Sequence, residues 1–163
     1  MPRLLEIGSF MASKTPTNHS IVVESRSSAV TRQWAWILPK LKAHNFSEDD
    51  IFAIHLALEE AFINAVNHGN RMDPEKEIKI EYSVGEGKVE ISMTDEGRGF
   101  APDAVPDPRY GENLYKAGGR GLLLICSYMD IVEFNERGNR VRMVKYKERL
   151  NPKKIEPGGK LSR

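Results

Sequence analysis

Two consecutive segments that alternate between apolar and polar residues constrain the fold of this chain more than any other feature. They are Glu77–Val84 (EIKIEYSV) and Lys88–Asp95 (KVEISMTD), and they are separated by Gly85-Glu86-Gly87. Alternation with a period of two predicts strands with one buried face, and the short glycine-containing link predicts an antiparallel hairpin. The chain should therefore build a sheet that needs a covering layer on one side.

Helical periodicity in two other segments predicts that covering layer. Residues 27–43 place apolar side chains at helical spacing, and Pro39 should kink or end this helix. Ser47 fits the N-cap of a second helix that runs to about His68, and the apolar stripe of this helix should pack on the sheet. The stripe consists of Ile51, Ile54, Leu58, Ala61, Phe62 and Ala65.

The remaining apolar segments complete the predicted fold. A β-branched run predicts a strand at His19–Ser25, and Leu122–Met129 has the pattern of a short buried helix opened by glycines. Asp130–Phe134 and Arg140–Tyr146 predict two further strands. This order of elements favours an α+β fold in which helices cover one face of a mostly antiparallel sheet.

Length and composition favour one domain. The chain has 163 residues, of which 40% are hydrophobic, which suffices for one core and is short for two. We expect residues 19–147 to form this domain and residues 1–18 and 148–163 to be flexible tails. The first segment mixes Pro, Ser, Thr and Lys, and the second combines prolines and glycines with several lysines. Residues 101–118 contain several prolines and predict a long irregular loop of the kind that serves as a lid.

Composition also argues against several functions. The 24 Lys and Arg residues nearly cancel the 23 Asp and Glu residues, so no overall charge attracts the chain to nucleic acid or to acidic lipid. Cys126 is the one cysteine and cannot form an internal disulfide. No apolar run approaches the roughly 20 residues that span a bilayer, and no signal peptide is recognisable. We therefore expect a cytoplasmic protein that binds neither nucleic acid nor membranes directly.

The most informative segment for function is LEEAFINAVNHGN, at residues 58–70. Four of its polar residues fall on one side of a helix, and they are Glu60, Asn64, Asn67 and His68. Asn is a poor helix former, so two of them in the last turns require a reason. One interpretation is a solvated face near a fraying helix end. The other is a Mg²⁺ site in which the Asn64 amide oxygen acts with phosphate oxygens and water.

A second segment, TDEGRGF, follows the second strand of the hairpin. Asp95 ends that strand, and Gly97 and Gly99 come next. Glycines at this spacing allow positive φ angles and the close approach of a planar ligand, while an ionised Asp95 could accept a hydrogen bond from the amine of adenine. The alternative is an ordinary turn, because glycine is a routine turn former.

A third segment, GGRGLLLICSYMD, spans residues 118–130. Glycines that open a helix leave backbone N–H groups at the positive end of its dipole, where polyphosphate can bind. Arg120 could add positive charge from the side of the predicted lid. The alternative is a flexible loop that leads into a buried helix.

Taken in order and with their separations, the three segments resemble the N box and the two glycine boxes of the GHKL ATPases. This superfamily contains gyrase, histidine kinases and mismatch-repair ATPases. Within it, EEAFINAVNHGN, DEGRGF and GGRGLLLI are most similar to the anti-sigma-factor serine/threonine kinases of bacteria. The resemblance covers about residues 20–147 and implies a two-layer α/β sandwich of the Bergerat type, with a mixed, mostly antiparallel sheet.

The resemblance also implies a role for each matching residue. Glu60 takes the place of the catalytic base, and Glu59, about 100° away around the helix, is the competing candidate. Asn64 would ligate Mg²⁺, and Asp95 would bind the adenine of ATP. The other implied nucleotide-binding residues are Asn67, Gly97, Gly99, Gly119, Arg120, Gly121 and Leu122. Residues 101–118 would form the lid over the phosphates.

Two further positions bear on the implied nucleotide site. Family members often carry Thr in the last strand pair, where a water links it to adenine, but this chain has Gly138-Asn139-Arg140-Val141. The departure predicts a change in nucleotide affinity or base selectivity. His68 also recurs in the resemblance. Because no Cys or second His stands at metal-ligand spacing, we expect it to support the Asn64 turn by hydrogen bonding rather than to bind zinc.

As to partners, the resemblance implies phosphorylation of a small anti-sigma-factor antagonist, retention of a sigma factor and a homodimer. One alternative is a non-catalytic, ATP-dependent clamp, although ATP binding alone would not require Glu60. Another is a detached histidine kinase domain, although the residues before His19 leave no room for its dimerisation hairpin. Gyrase-like hydrolysis is less favoured, since that class draws a catalytic lysine from a further domain.

Overall fold

The computed structural model of the protein describes residues 16–100 and 119–148. Within these ranges the chain forms five β-strands and three α-helices. The strands are β1 (Thr17–Glu24), β2 (Glu77–Val84), β3 (Lys88–Asp95), β4 (Ile131–Phe134) and β5 (Arg140–Tyr146). The helices are α1 (Val30–Ala43), α2 (Glu48–Asn64) and α3 (Gly119–Tyr128).

The strands form one sheet in the order β1-β2-β3-β5-β4. Every pairing between the described strands is antiparallel, whereas the resemblance implied a mixed sheet. In the β2–β3 hairpin, Val84 lies opposite Val89 at one end and Ile78 lies opposite Asp95 at the other. Because β3 is the central strand, Asp95 sits at the middle of one edge of the domain. The α+β class and the hairpin are confirmed.

A hydrophobic core fills the space between the helices and one face of the sheet. The predicted stripe of α2 is buried along its whole length, with Phe62 and Ile54 fully enclosed. On the sheet side, Ile80, Ile91 and Met143 are also fully buried. Each such side chain contributes about 1.5–3 kcal/mol on leaving water, so this layer fixes where α2 lies. The orientation of α2 in turn fixes which of its side chains face outward at the site.

The beginning of α2 and the course of α1 follow from local chemistry. The Ser47 hydroxyl accepts a hydrogen bond from the Asp50 backbone N–H at 3.1 Å, which confirms the predicted N-cap. A short 3-10 turn precedes α1, which then continues through Pro39 to Ala43 instead of ending there. Proline removes one backbone donor, and the fully buried Leu41 in the next half-turn keeps the helix packed.

The end of α2 differs from the regular helix that was predicted up to His68. Residues Ala65–Gly69 form a π-helical turn, and the Asn70 N–H donates to the Ala65 carbonyl at 2.7 Å. Arg71 and Met72 then adopt positive φ angles of 55° and 58°. Non-glycine residues rarely adopt this backbone conformation, and π turns often occur at functional sites. Sequence periodicity does not reveal such a turn.

The sheet face away from the helices is covered by charged side chains. Arg142 donates to both carboxylate oxygens of Glu90, at 2.8 and 2.9 Å, and to Glu133 at 2.7 Å. The hydrogen bonds and charge of Arg142 hold the pKa of the Glu90 carboxyl below its ordinary value. This face is therefore solvated and polar, in agreement with helices on one side only.

Several predicted boundaries change or lie outside the described residues. Thr17 and Asn18 belong to β1, where they pair with the end of β2, so the N-terminal tail predicted at residues 1–18 was too long. The helix predicted from Leu122 begins at Gly119. The predicted lid at residues 101–118 and most of the predicted C-terminal tail lie outside the described residues.

Every helix in the described ranges is too short or too polar to span a lipid bilayer.

Candidate functional site

A cavity of about 360 Å³ opens at the edge of the domain where β3 ends. Its walls come from α2 and the π turn, from α3, from the turn after β3 and from the β4–β5 hairpin. The cavity therefore lies where the three sequence motifs converge. Of the predicted site residues, it is lined by Asn64, Asp95, Gly99 and Leu122.

The start of α3 lies directly against the polar stripe of α2. A methyl group built on Gly121 would lie 2.8 Å from the Glu60 Oε2 atom and 3.3 Å from the Asn64 Nδ2 atom. The two polar side chains and the first turn of α3 are thus neighbours, as the three motifs predicted. Glu60 does not itself line the cavity; it precedes the lining residue Ala61 and lies beside Gly121. The free N–H groups of a helix start face anions favourably, so this corner suits a polyphosphate.

The competing carboxylate, Glu59, is directed elsewhere. Its Oε1 atom lies 3.9 Å from the Nε2 atom of His55, one turn earlier on α2. The ring of His55 in turn stacks on Trp34 of α1, with 4.4 Å between centroids. Glu59 therefore faces α1, whereas Glu60 faces α3 and the cavity rim. Of the two carboxylates, Glu60 is the one that lies beside Gly121 and Asn64, and its role as the base stays a prediction.

The turn after β3 packs backbone against backbone on the end of α2. The Gly97 N–H donates to the Asp95 Oδ1 atom at 2.8 Å, which fixes the carboxylate. A Cβ atom on Gly69 would overlap the Asp95 carboxylate, and one on Gly97 would overlap the Gly69 carbonyl oxygen. Gly99 has the positive φ angle that was predicted, 77°. Gly97 is not among the residues with positive φ, so its glycine is required for close approach instead.

Asp95 carries the strongest electrostatic signal of the cavity. Burial raises the pKa of its carboxyl above the ordinary value, while the Gly97 N–H and the charges of Lys76 and Arg137 lower it in part. A carboxylate kept in a half-buried position at a net cost is typical of a binding site. Its Oδ2 atom accepts no hydrogen bond within the described residues, so this oxygen remains available to a ligand donor.

The β4–β5 hairpin is hydrogen-bonded to the Asp95 turn. The Asn139 Nδ2 donates to the Asp95 carbonyl at 2.9 Å, and the Asp95 N–H donates to the Asn139 carbonyl at 2.9 Å. Arg137 reaches the Gly97 carbonyl at 3.1 Å. The segment Gly138–Val141, where the family often has Thr, thus lines the cavity, and its Asn139 amide is engaged with the main chain. Altered nucleotide affinity or selectivity stays a prediction.

Sequence reasoning missed several residues of the cavity wall. Phe100 and Phe134 make an edge-to-face contact, with 5.1 Å between centroids, and both line the cavity. The only sequence signal for Phe100 was its position directly after Gly99. Basic side chains on the wall were also missed, and they are Arg71, Arg98 and Arg140. An aromatic wall with basic groups nearby suits a flat base attached to an anionic chain.

Other predicted residues are less closely connected with the cavity. Asn67 and Arg120 are exposed and do not line it, and their binding roles stay predictions. His68 lines the cavity, but within the described ranges its side chain makes no hydrogen bond, so the predicted support for the Asn64 turn is not seen. No group of three or more His, Cys, Asp or Glu side chains in those ranges could hold a metal ion.

Comparisons with known proteins identify the family of the chain. The profile of the histidine kinase-like ATPase domain matches residues 24–145. The serine-protein kinase RsbW of Listeria innocua is 32% identical over 122 residues, which cover 71% of this chain and 76% of that protein. The protein of the same name from Bacillus subtilis is 31% identical over 118 residues, covering 68% and 72% of the two chains.

A solved structure gives independent support for the fold. The crystal structure of the RsbU and RsbW domains of a Mycobacterium tuberculosis protein superposes with a TM-score of 0.54 at 18% identity. The match covers 80% of this chain and 32% of that longer chain. Motifs, cavity and comparisons lead to one conclusion. The chain belongs to the histidine kinase-like ATPase family and, within it, to the anti-sigma-factor serine/threonine kinases.

Proposed function

We propose that this chain is an ATP-dependent protein serine/threonine kinase that acts as an anti-sigma regulatory factor by phosphorylating a small antagonist protein. The observation that carries this proposal is that Glu60 and Asn64 meet at Gly121, while Asn64 also lines the cavity that Asp95 lines. A kinase needs both groups of residues, one to recognise the base and one to act on the phosphates. The proposal rests on that geometry together with the named activity of the relatives.

Nucleotide recognition would begin at the Asp95 end of the cavity. The free Asp95 Oδ2 atom would accept a hydrogen bond from the exocyclic amine of adenine, which guanine does not offer at that position. The apolar walls around Met93 and Ile125 would pack on the faces of the base. The triphosphate would then run past Asn64 towards the start of α3.

The residues present fit a magnesium ion held mainly by the nucleotide. The Asn64 side-chain amide supplies one hard oxygen ligand, and Glu60 lies beside it at Gly121. A Mg²⁺ ion commonly takes one or two protein oxygens and completes its coordination with phosphates and water. When bound, the ion would supply neutralisation of phosphate charge. Asn64 would orient the triphosphate, and the N–H groups of the first turn of α3 would stabilise the terminal phosphoryl oxygens.

Glu60 would act as the general base. A serine or threonine hydroxyl of the protein substrate attacks the γ-phosphorus, so that a new O–P bond forms while the bond to the β–γ bridging oxygen breaks. ADP leaves, and the hydroxyl proton passes to the Glu60 carboxylate. Much of the acceleration in such a reaction comes from positioning and charge stabilisation, with proton transfer contributing a further factor.

The substrate and assembly are part of the same proposal. An anti-sigma-factor antagonist would be the phosphorylated protein, and a sigma factor or other regulator would be held on this chain when the antagonist is absent. The chain would act in the cytoplasm as a homodimer, without direct contact with nucleic acid or membranes. The nearly balanced charge of the chain supports this, since it provides no general attraction to polyanions.

A transfer assay tests the proposal directly. The chain is incubated with γ-labelled ATP, Mg²⁺ and candidate antagonist proteins from the same genome, and the phosphate on the antagonist is treated with acid. We expect labelled, acid-stable phosphate, as on Ser or Thr. Acid-labile phosphate would support a histidine kinase domain instead. Tight ATP binding without any transfer to the candidates would favour the non-catalytic clamp.

The raised pKa of Asp95 predicts a trade-off between binding and stability. Because the folded-state pKa exceeds the unfolded one, the folded chain binds more protons between the two values, and stability falls as the pH rises through this window. At neutral pH Asp95 is charged, and the full free-energy cost of holding this charge in a half-buried position remains. Asp95→Asn should remove that cost. We expect thermal unfolding at the same temperature or slightly higher, and the gain should be small because the carboxylate is partly exposed to solvent.

The same Asp95→Asn variant should bind ATP at least about tenfold more weakly. The new amide would keep the bond from the Gly97 N–H through Oδ1 but present a donor where Oδ2 met the adenine amine. Melting curves at neutral and acidic pH, together with ATP titrations, check both effects. The stability gain should shrink at acidic pH, where Asp95 is protonated in both states. Unchanged ATP affinity would contradict the role given to this carboxylate.

A further inference from the structure

Asn70, the residue that follows the π turn of α2, is fully buried although its side chain is polar. Its Nδ2 atom donates to the Ser25 hydroxyl and to the Glu77 carbonyl, both at 3.0 Å. Its Oδ1 atom accepts the Glu96 backbone N–H at 2.8 Å. Both donors and the oxygen of the amide are therefore used, and each partner lies on a different segment of the chain.

These bonds belong to a closed network at the edge of the sheet. The Glu96 side chain accepts the Glu77 N–H at 2.6 Å, so Asn70, Glu77 and Glu96 are linked in a triangle. The Ser25 N–H is bonded to the Lys76 carbonyl at 3.0 Å, which ties the end of β1 to the same place. Such a network holds the end of α2, the start of β2 and the turn after β3 at fixed separations.

The network lies next to the residues that form the base end of the cavity. Glu96, which donates to Asn70, directly follows Asp95 in the chain, and Gly69, which contacts the Asp95 carboxylate, directly precedes Asn70. A shift of the Asn70–Glu96 bond would therefore move Asp95 relative to α2. Asn64 is located less than two turns earlier on the same helical segment. Asn70 thus links the helical segment that carries Asn64 to the turn that carries Asp95.

The backbone beyond Asn70 is held in an uncommon form. Arg71 and Met72 both have positive φ, and such residues persist where the surrounding contacts determine their conformation. The Asn70 carbonyl accepts the Asp73 N–H at 3.1 Å, and the Met72 N–H donates to the Val66 carbonyl at 2.8 Å. The bend that carries Arg71 to the cavity wall is therefore anchored at Asn70.

We propose that Asn70 is a positioning residue that holds the Asp95 turn in register with the α2 residues Glu60 and Asn64, and so determines both the affinity of the site for ATP and its preference for adenine. The inference rests on the proposed ATP site and deepens it. Asn70 is buried and acts through its neighbours, so it touches no substrate. A residue with a purely structural role would affect unfolding but not the choice of base.

The test compares Asn70→Ala with Val89→Ala. Val89 is fully buried at the opposite end of the β2–β3 hairpin, so its truncation lowers stability without disturbing the cavity. For each full-length variant, the melting temperature and the dissociation constants of Mg-ATP and Mg-GTP are measured well below the melting transition. We expect Asn70→Ala to weaken ATP binding about 10- to 100-fold, as loss of an outer supporting partner does in other sites.

In Asn70→Ala, the ratio of the GTP dissociation constant to the ATP dissociation constant should fall by about the same factor, because GTP does not use the Asp95 acceptor. Val89→Ala should leave both dissociation constants within about twofold of wild type. The inference is overturned if Asn70→Ala lowers the melting temperature like Val89→Ala and keeps the wild-type ratio. If wild type itself fails to bind ATP, the proposed function fails instead.

A milder variant keeps the test valid if Asn70→Ala does not fold. Ser25→Ala removes one acceptor of the Asn70 amide and leaves the bond to Glu96 in place. We expect ATP binding to weaken by about threefold to tenfold, in line with the loss of one buried hydrogen bond. An ATP affinity and base preference equal to those of Val89→Ala would overturn the inference.

Discussion

Replacing Glu60 with Gln should slow phosphoryl transfer to a protein hydroxyl by about 100- to 10,000-fold, the contribution expected of a general base. Glutamine preserves the shape of the side chain beside Gly121 but cannot accept the hydroxyl proton at neutral pH. ATP binding should change little, because Glu60 does not line the cavity in which Asp95 would recognise the base. Single-turnover transfer of labelled γ-phosphate and a separate ATP titration measure the two quantities.

Glu59→Gln is the matched control for this experiment. Glu59 precedes Glu60 in the chain, is about as exposed, and contacts His55 on the side of α1. Its replacement should leave the transfer rate within about twofold of wild type, since an exposed pair of this kind contributes little. A Glu60→Gln variant that transfers as fast as wild type, or a Glu59→Gln variant that loses as much, would remove Glu60 from the mechanism.

Adding one methyl group at Gly97 should both destabilise the domain and remove measurable ATP binding. The Cβ atom of Gly97→Ala would overlap the Gly69 carbonyl oxygen, so two backbone segments would have to separate. Overpacking of this kind typically costs about 1–3 kcal/mol. Because the separation displaces Asp95 from the end of α2, the base pocket would lose its acceptor. Denaturant unfolding and ATP titration check the two effects.

Gly85→Ala provides the comparison for Gly97→Ala. Gly85 lies in the β2–β3 turn, and a methyl group there would lie 3.7 Å from the Pro16 Cβ atom and 3.8 Å from the Lys88 carbonyl, which is ordinary contact. We expect its stability to stay within about 0.5 kcal/mol of wild type and its ATP affinity to be unchanged. Equal melting and equal ATP affinity in the two alanine variants would refute the close-packing role of Gly97.

The part of the fold that depends on local pattern could be predicted from sequence. The two hairpin strands have the predicted bounds, because a period of two leaves one register in which every apolar residue is buried. The buried stripe of α2 and its Ser47 cap were predicted for the same reason. The meeting of Glu60, Asn64 and Gly121 was expected from the three motifs together, since no single one of them places α3 against α2.

The features that were missed depend on contacts between distant segments. Asn70 bonds the Glu96 N–H 26 positions away, and Asn139 bonds the Asp95 carbonyl 44 positions away, and no periodicity encodes either pair. The π turn at the end of α2 is likewise invisible to periodicity, and its last residue, Gly69, packs on Asp95. The regular helix ends at Asn64. Asn67 therefore does not line the cavity, although helical spacing predicted that it would share a face with Glu60.

The central claim is that Mg-ATP binds in the cavity between Asp95 and Asn64. Calorimetric titration of the full chain with ATP at millimolar Mg²⁺, repeated for Asp95→Ala and Asn64→Ala, tests it most directly. We predict saturable binding of one ATP per chain, weakened at least about tenfold in each variant by loss of a charged or metal-linked contact. Absence of binding, or binding that neither substitution weakens, would contradict the account.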